Sequence, residues 1–110
     1  MRRPARCLAI AGLLCLTHGS QAQMAARVEA GKQIAQKFCA RCHAIGLQRT
    51  STCPGAPPFR VIVAKGNVEN LKEALGEGIV AGHPAMPQFQ FKPDDAGSLI
   101  AYLKSLSGRG

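Results

Sequence analysis

A chain of 110 residues with 46% apolar, 18% charged and 5% aromatic residues can build one small domain. That composition excludes bulk disorder, collagen and coiled coil, and no run reaches the roughly 18 apolar residues of a membrane-spanning helix. The formal charge is +8, and from Arg27 to Arg109 the Lys and Arg are scattered with no basic block, which argues against nucleic-acid binding, where a cluster and stacking aromatics are expected.

The first 22 residues read as a secretory signal. Arg2, Arg3 and Arg6 form a positive start, Cys7 to Leu16 is a short apolar stretch, and Ser20-Gln21-Ala22 places small residues before a cut after Ala22. The competing reading is a buried N-terminal helix. Arg2-Arg3 has poor context for twin-arginine export, and Leu14 is too large to precede a lipid-anchored Cys15. The expected organisation is a signal peptide over 1–22 and one domain over 23–110. Removal of three Arg lowers the formal charge to about +5 and leaves three of the five cysteines, Cys39, Cys42 and Cys53. An odd count in an exported chain does not suit a simple disulfide framework.

Three helices joined by long loops follow. The first is expected over Ala25–Cys39, with Val28, Gly31, Ala35 and Phe38 on one face. Gly31 in mid-helix points to a close backbone crossing. Residues 44–66 are rich in Gly, Pro, Ser and Thr and read mostly as loop. Asn67 is placed to cap a second helix carrying Val68, Leu71 and Leu75, with Gly76 and Gly78 ending it. Residues 79–93 contain three Pro, so no regular helix passes through them, and so long a loop is expected to serve function. Pro93 opens a third helix with Asp94 and Asp95 in its first turn. Its stripe is Leu99, Tyr102, Leu103 and Leu106, Lys104 lies near its end and Gly108 stops it. With no Trp, one Tyr and four Phe, this all-α core is thin and calls for a disulfide, a metal or a large cofactor.

The chemistry sits at Cys39-Ala40-Arg41-Cys42-His43. C-x-x-C-H is the signature of covalent c-type haem attachment. Two thiols three positions apart on a turn reach the two vinyl groups on one porphyrin edge, and the adjoining His43 can then offer an imidazole nitrogen to the iron. Two rivals use the same cysteines. A thioredoxin-like dithiol opens a helix after a strand, whereas this pair follows a helix and no strand precedes it. A zinc site needs two further ligands, for which Cys53 and His83 are candidates.

The chain resembles the small bacterial class I (monohaem) cytochromes c. The resemblance rests on C-x-x-C-H near the mature N-terminus, a downstream Met86-Pro87, and Leu99-Ile100-Ala101-Tyr102-Leu103-Lys104 in a final helix. It implies an all-α fold of about three helices and long loops wrapped around one covalently bound haem c. It also implies that Cys39 and Cys42 form the thioethers and that His43 is the proximal ligand. Met86, in His83-Pro84-Ala85-Met86-Pro87, resembles the distal thioether ligand, with His83 as rival donor. Pro57 resembles the proline whose carbonyl accepts the His Nδ1–H bond, with Pro58 an equally good register. Gly31 and Tyr102 resemble the pair where first and last helices cross. The chain also departs from the family pattern. Ala35 stands at a position that is often aromatic, with Phe38 nearby. The Trp that often bonds a propionate is missing, and Cys53 has no counterpart.

The resemblance implies a periplasmic one-electron carrier rather than an enzyme. Ile79, Phe89 and Phe91 are expected to exclude water from the haem. Arg41, Arg49, Lys65 and Lys92 are candidates for a basic ring that docks redox partners with an acidic surface. The mature chain is expected to be a monomer with no membrane span and no nucleic-acid partner. The alternatives are a haem-bearing subunit of a periplasmic dehydrogenase or oxidase complex, and a haem enzyme with a labile sixth ligand.

Overall fold

The computed structural model describes residues 1, 14–78 and 85–108. Four helices follow in chain order: α1 (Leu14–Phe38), α2 (Phe59–Ala64), α3 (Val68–Glu77) and α4 (Pro93–Ser105). Among the described residues there is no strand, so the all-α expectation holds with one helix more than the three expected. The additional one is α2, in the segment read as loop. Pro58 precedes it in an extended conformation and no side chain caps it. Its β-branched sequence carries no helix signal. Burial of Phe59 against the core and the bonds from the Val61 and Ile62 amides to the Pro58 carbonyl hold it.

Helix α1 starts well before Ala25 and runs without interruption through the expected cut after Ala22. Residues 19–27 are exposed, and the side that packs begins at Val28. Ala35 is 0% exposed, whereas Phe38 on the same predicted face stays largely exposed. Asn67 does stand at the start of α3, in a left-handed conformation and with no side-chain cap bond. The helix passes through Gly76 and ends at Gly78, whose φ of 78° is the left-handed conformation that favours glycine at a helix end. Helix α4 opens with Pro93, Asp94 and Asp95 as expected and ends at Ser105, a little before Gly108.

The main helix pair is α1 with α4, and α3 also packs on α4. Gly31 is where α1 and α4 cross. A Cβ there would lie 1.9 Å from the Ser98 carbonyl oxygen and 2.9 Å from Tyr102 Cβ. Only a residue without a side chain allows the two backbones this approach. Leu99 and Leu103 are each 1% exposed at the centre of the core, joined by Ile100, Tyr102, Phe59 and Leu75. The Tyr102 hydroxyl donates to the Ile45 carbonyl at 2.7 Å, which fastens α4 to the chain just after His43. Burial, with a contribution from Glu29, pushes the Tyr102 pKa up, so this donor keeps its proton at neutral pH.

Candidate functional site

The C-x-x-C-H segment is a single closed turn at the end of α1. The Cys39 amide bonds the Ala35 carbonyl at 2.9 Å, and the Cys42 and His43 amides both bond the Cys39 carbonyl, at 3.1 and 2.9 Å. Two thiols and an imidazole are therefore carried by one piece of backbone. The next residues fold back over it. Ser51 Oγ accepts from the Ala44 amide at 3.0 Å, Thr52 Oγ1 donates to the Arg41 carbonyl at 2.5 Å, and the Cys53 amide donates to the Cys42 carbonyl at 3.2 Å. The Phe59 amide then bonds the Ala44 carbonyl at 2.9 Å, which seats α2 beside His43.

His43 Nδ1 lies 2.7 Å from the Pro57 carbonyl oxygen. A carbonyl can only accept, so Nδ1 carries the proton and the lone pair of the neutral ring is on Nε2. Of the two proline registers open in the sequence, the geometry takes Pro57. The ring also stands 5.6 Å from that of Phe59, at 52°. These two contacts fix its rotation, as the outer partners of a metal-binding histidine do.

A cavity of about 450 Å³ opens beside the turn. Cys39, Cys42 and His43 line it on one side, and Met86 lines it from the loop that precedes α4. Phe59, Ile62, Leu71 and Leu75 line it from α2 and α3, and Leu99 and Leu103 from α4. Cys53 and Pro57 complete the part nearest the turn. The lining is overwhelmingly apolar, and the volume lies within the roughly 300–1,000 Å³ of cofactor sites. A flat apolar macrocycle bonded through two sulfurs, with a nitrogen donor and a thioether donor at hand, fits this donor set and this lining.

Phe38, Phe89 and Phe91 form one aromatic cluster at the edge of this cavity, and Phe91, expected to shield it, is not in its lining. Phe89 and Phe91 stack with centroids 5.2 Å apart at 13°, and Phe38 meets them edge-on at 6.0 and 5.4 Å. Phe38 and Phe89 line the cavity. Phe38 thus brings an aromatic ring to the cavity, while Ala35 packs wholly inside the core. The Phe91 amide bonds the Leu75 carbonyl at 2.9 Å and ties this strap to α3.

The thiols differ in setting. Burial pushes the Cys39 pKa up to about 11. The Cys42 pKa is raised chiefly by a hydrogen bond to the Cys53 side chain. All three cysteines are free thiols and partly exposed. Among the described residues no group of three or more His, Cys, Asp or Glu is gathered to hold a metal ion. His83, the rival distal donor and the candidate zinc ligand, lies outside the described residues, as does Ile79. Sequence reasoning missed Phe59 and Ile62 as cavity residues, because α2 has no periodic signal. It also left Cys53 without a place, although its position in the motif's own loop was a pointer.

The family model described as cytochrome c matches residues 28–107. The chain is also similar to a protein named cytochrome c-552 from Bradyrhizobium diazoefficiens, at 27% identity over 94 residues, which covers 86% of this chain and 88% of that protein. No solved structure matches. The matched segment starts where α1 begins to pack and ends just past α4, so it takes in the whole cavity and every helix that walls it. On that match the chain belongs to the cytochrome c family, whose members bind haem c covalently.

Proposed function

We propose that this protein is a periplasmic monohaem cytochrome that carries single electrons between redox proteins, its haem bonded through Cys39 and Cys42 and held between His43 and Met86. The observation that carries the reading is the convergence on one apolar cavity of the C-x-x-C-H turn and Met86, with His43 already oriented by Pro57. When bound, the haem supplies an iron that alternates between ferric and ferrous states by one electron. His43 lines the cavity, and its Nδ1–H bond to Pro57 leaves the Nε2 lone pair for the iron and makes the ring a better donor. Met86 offers a neutral thioether, which favours the ferrous state relative to a second imidazole. The apolar walls, with Phe38 and Phe89 among them, keep water away and disfavour the more highly charged ferric state. With His43 and Met86 both engaged as iron ligands, no position would be left for a small-molecule substrate, which supports electron transfer over catalysis.

A cleaved export signal over 1–22 is part of the same proposal. The exposed stretch 19–27 contributes nothing to the core, so a cut after Ala22 leaves the packed domain whole. Among the described residues no helix is long and apolar enough to cross a membrane. Arg41, Arg49, Lys65 and Lys92 are exposed and suit docking against an acidic partner surface.

The test is expression with export and haem-maturation machinery, followed by optical spectra of wild type and Met86→Ala with and without carbon monoxide. The expected result is a covalently bound, low-spin haem that ignores the gas in wild type, and a gas-sensitive haem in the variant. A gas-sensitive wild type, or a variant with unchanged low-spin spectra, overturns the assignment of Met86. A wild type without covalent haem overturns the whole reading.

A further inference from the structure

Cys53 lines the cavity without being one of the two cysteines that would bond the haem, and the fold sets it against one of those two. The bonds from Thr52 Oγ1 to Arg41 and from the Cys53 amide to the Cys42 carbonyl clamp residues 52–53 onto the turn. The direct backbone bond of 3.2 Å holds Cys53 beside Cys42, and a disulfide needs such neighbours, since its Cα atoms stand roughly 4.4–6.8 Å apart. The two thiols are also close enough for Cys53 to be the main cause that raises the Cys42 pKa. Both are partly exposed and both line the cavity.

We propose that Cys42 and Cys53 close a disulfide in the haem-free chain, a modification that excludes a thioether at Cys42 and makes haem attachment depend on its reduction. The attachment half of this inference rests on the haem reading above. The oxidant is a disulfide of a thiol–disulfide exchange protein in the exported compartment. The thiolate of one cysteine attacks that disulfide and expels one partner thiolate, leaving a mixed disulfide. The other cysteine then displaces the second partner sulfur. The Cys42–Cys53 bond forms, the partner gains two electrons, and the two protons lost here end on its two thiols. Thioether formation adds S–H across a vinyl double bond, and a Cys42 sulfur already bonded to Cys53 has no S–H to add. Reduction by a dithiol reverses the step. After attachment Cys42 is consumed and Cys53 remains as a lone thiol at the haem edge.

Trypsin separates the three cysteines, because cleavage after Lys37, Arg41, Arg49 and Arg60 yields 38–41, 42–49 and 50–60. The full chain is exported in cells lacking haem-maturation machinery, free thiols are alkylated in acid, and peptides are mapped without reduction. The expected product is 42–49 joined to 50–60. In cells with the machinery, cystamine in the medium lowers the covalent haem per chain of wild type several-fold, and Cys53→Ser retains most of its haem under the same treatment. A map showing 38–41 joined to 42–49, a dimer through 50–60, or only alkylated cysteines overturns the disulfide. Equal haem loss in wild type and Cys53→Ser overturns its effect on attachment. A wild type without covalent haem under reducing conditions overturns the haem reading and the dependence with it, while the peptide map still decides the pairing.

Discussion

Replacing Gly31 by Ala adds one methyl group where α1 meets α4. The new Cβ would stand 1.9 Å from the Ser98 carbonyl oxygen and 2.5 Å from its carbonyl carbon, both backbone atoms that no rotamer change can move. An ordinary contact needs more than 3 Å, so the helices must separate by about 1 Å or more. A gap of that size forfeits a quarter to a half of each dispersion contact across the seam. Overpacking of this kind costs about 1–3 kcal/mol, and the rigid partner argues for the upper end. Alanine returns up to about 1 kcal/mol in helix propensity, leaving a net loss of about 2 kcal/mol. For a domain of this size each kcal/mol lowers Tm by about 4–8 °C, so the expected fall is about 8–16 °C. The assay is thermal unfolding of the ferric holoprotein by circular dichroism. Gly46→Ala is the control, since a Cβ there meets nothing within 4 Å. A Gly31→Ala variant within about 2 °C of wild type, or one shifted no more than Gly46→Ala, would refute the reasoning that this crossing depends on the missing side chain.

Two further outcomes follow from named contacts. Tyr102→Phe keeps the buried ring and removes the donor to the Ile45 carbonyl, which costs about 1–2 kcal/mol for an acceptor left unpaired; Tm should fall while the optical spectrum stays low-spin, and an unchanged Tm would show that water replaces the hydroxyl. Charge reversal at Arg49 or Lys65, both exposed, should slow electron exchange with an acidic redox protein at low ionic strength and lose most of its effect near 0.15 M salt, where the Debye length is about 8 Å; stopped-flow rates indifferent to salt would remove these residues from the docking surface.

What the sequence disclosed and what it hid divide along a physical line. The C-x-x-C-H turn and the α4 stripe were legible because their information is spacing, and spacing along a helix decides which side chains share a face. Gly31 was legible because a glycine in mid-helix is costly unless something approaches it. Helix α2 was hidden because six residues with no cap cannot hold a helix alone, and it exists through Phe59 and the bonds around Ala44 and Pro58. The choice of Pro57 over Pro58 was hidden for a similar reason, since it is settled by where the His43 ring comes to rest. The surroundings of Cys53 were hidden as well. Its neighbours Ser51 and Thr52 read as ordinary loop polarity, and only the fold shows them bonding back to Ala44 and Arg41.

The same division explains why the cavity and the core cannot be treated apart. Leu99 and Leu103 are the largest fully buried side chains of the core, and both also wall the cavity. Phe59 and Leu75 have the same double duty, so the inner faces of α2 and α3 rest partly on packed residues and partly on the space beside the turn. Helices of six and ten residues are too short to persist unsupported, since isolated helices under about 12 residues are marginal in water. A haem bonded to Cys39 and Cys42, as proposed above, would supply the missing surface, with about 25 cal/mol gained for each Å² that it removes from water. Anything that holds Cys42 away from that bond therefore also withholds support from α2 and α3. The proposed disulfide to Cys53 would act at that point and couple the oxidation state of two thiols to the completion of the fold.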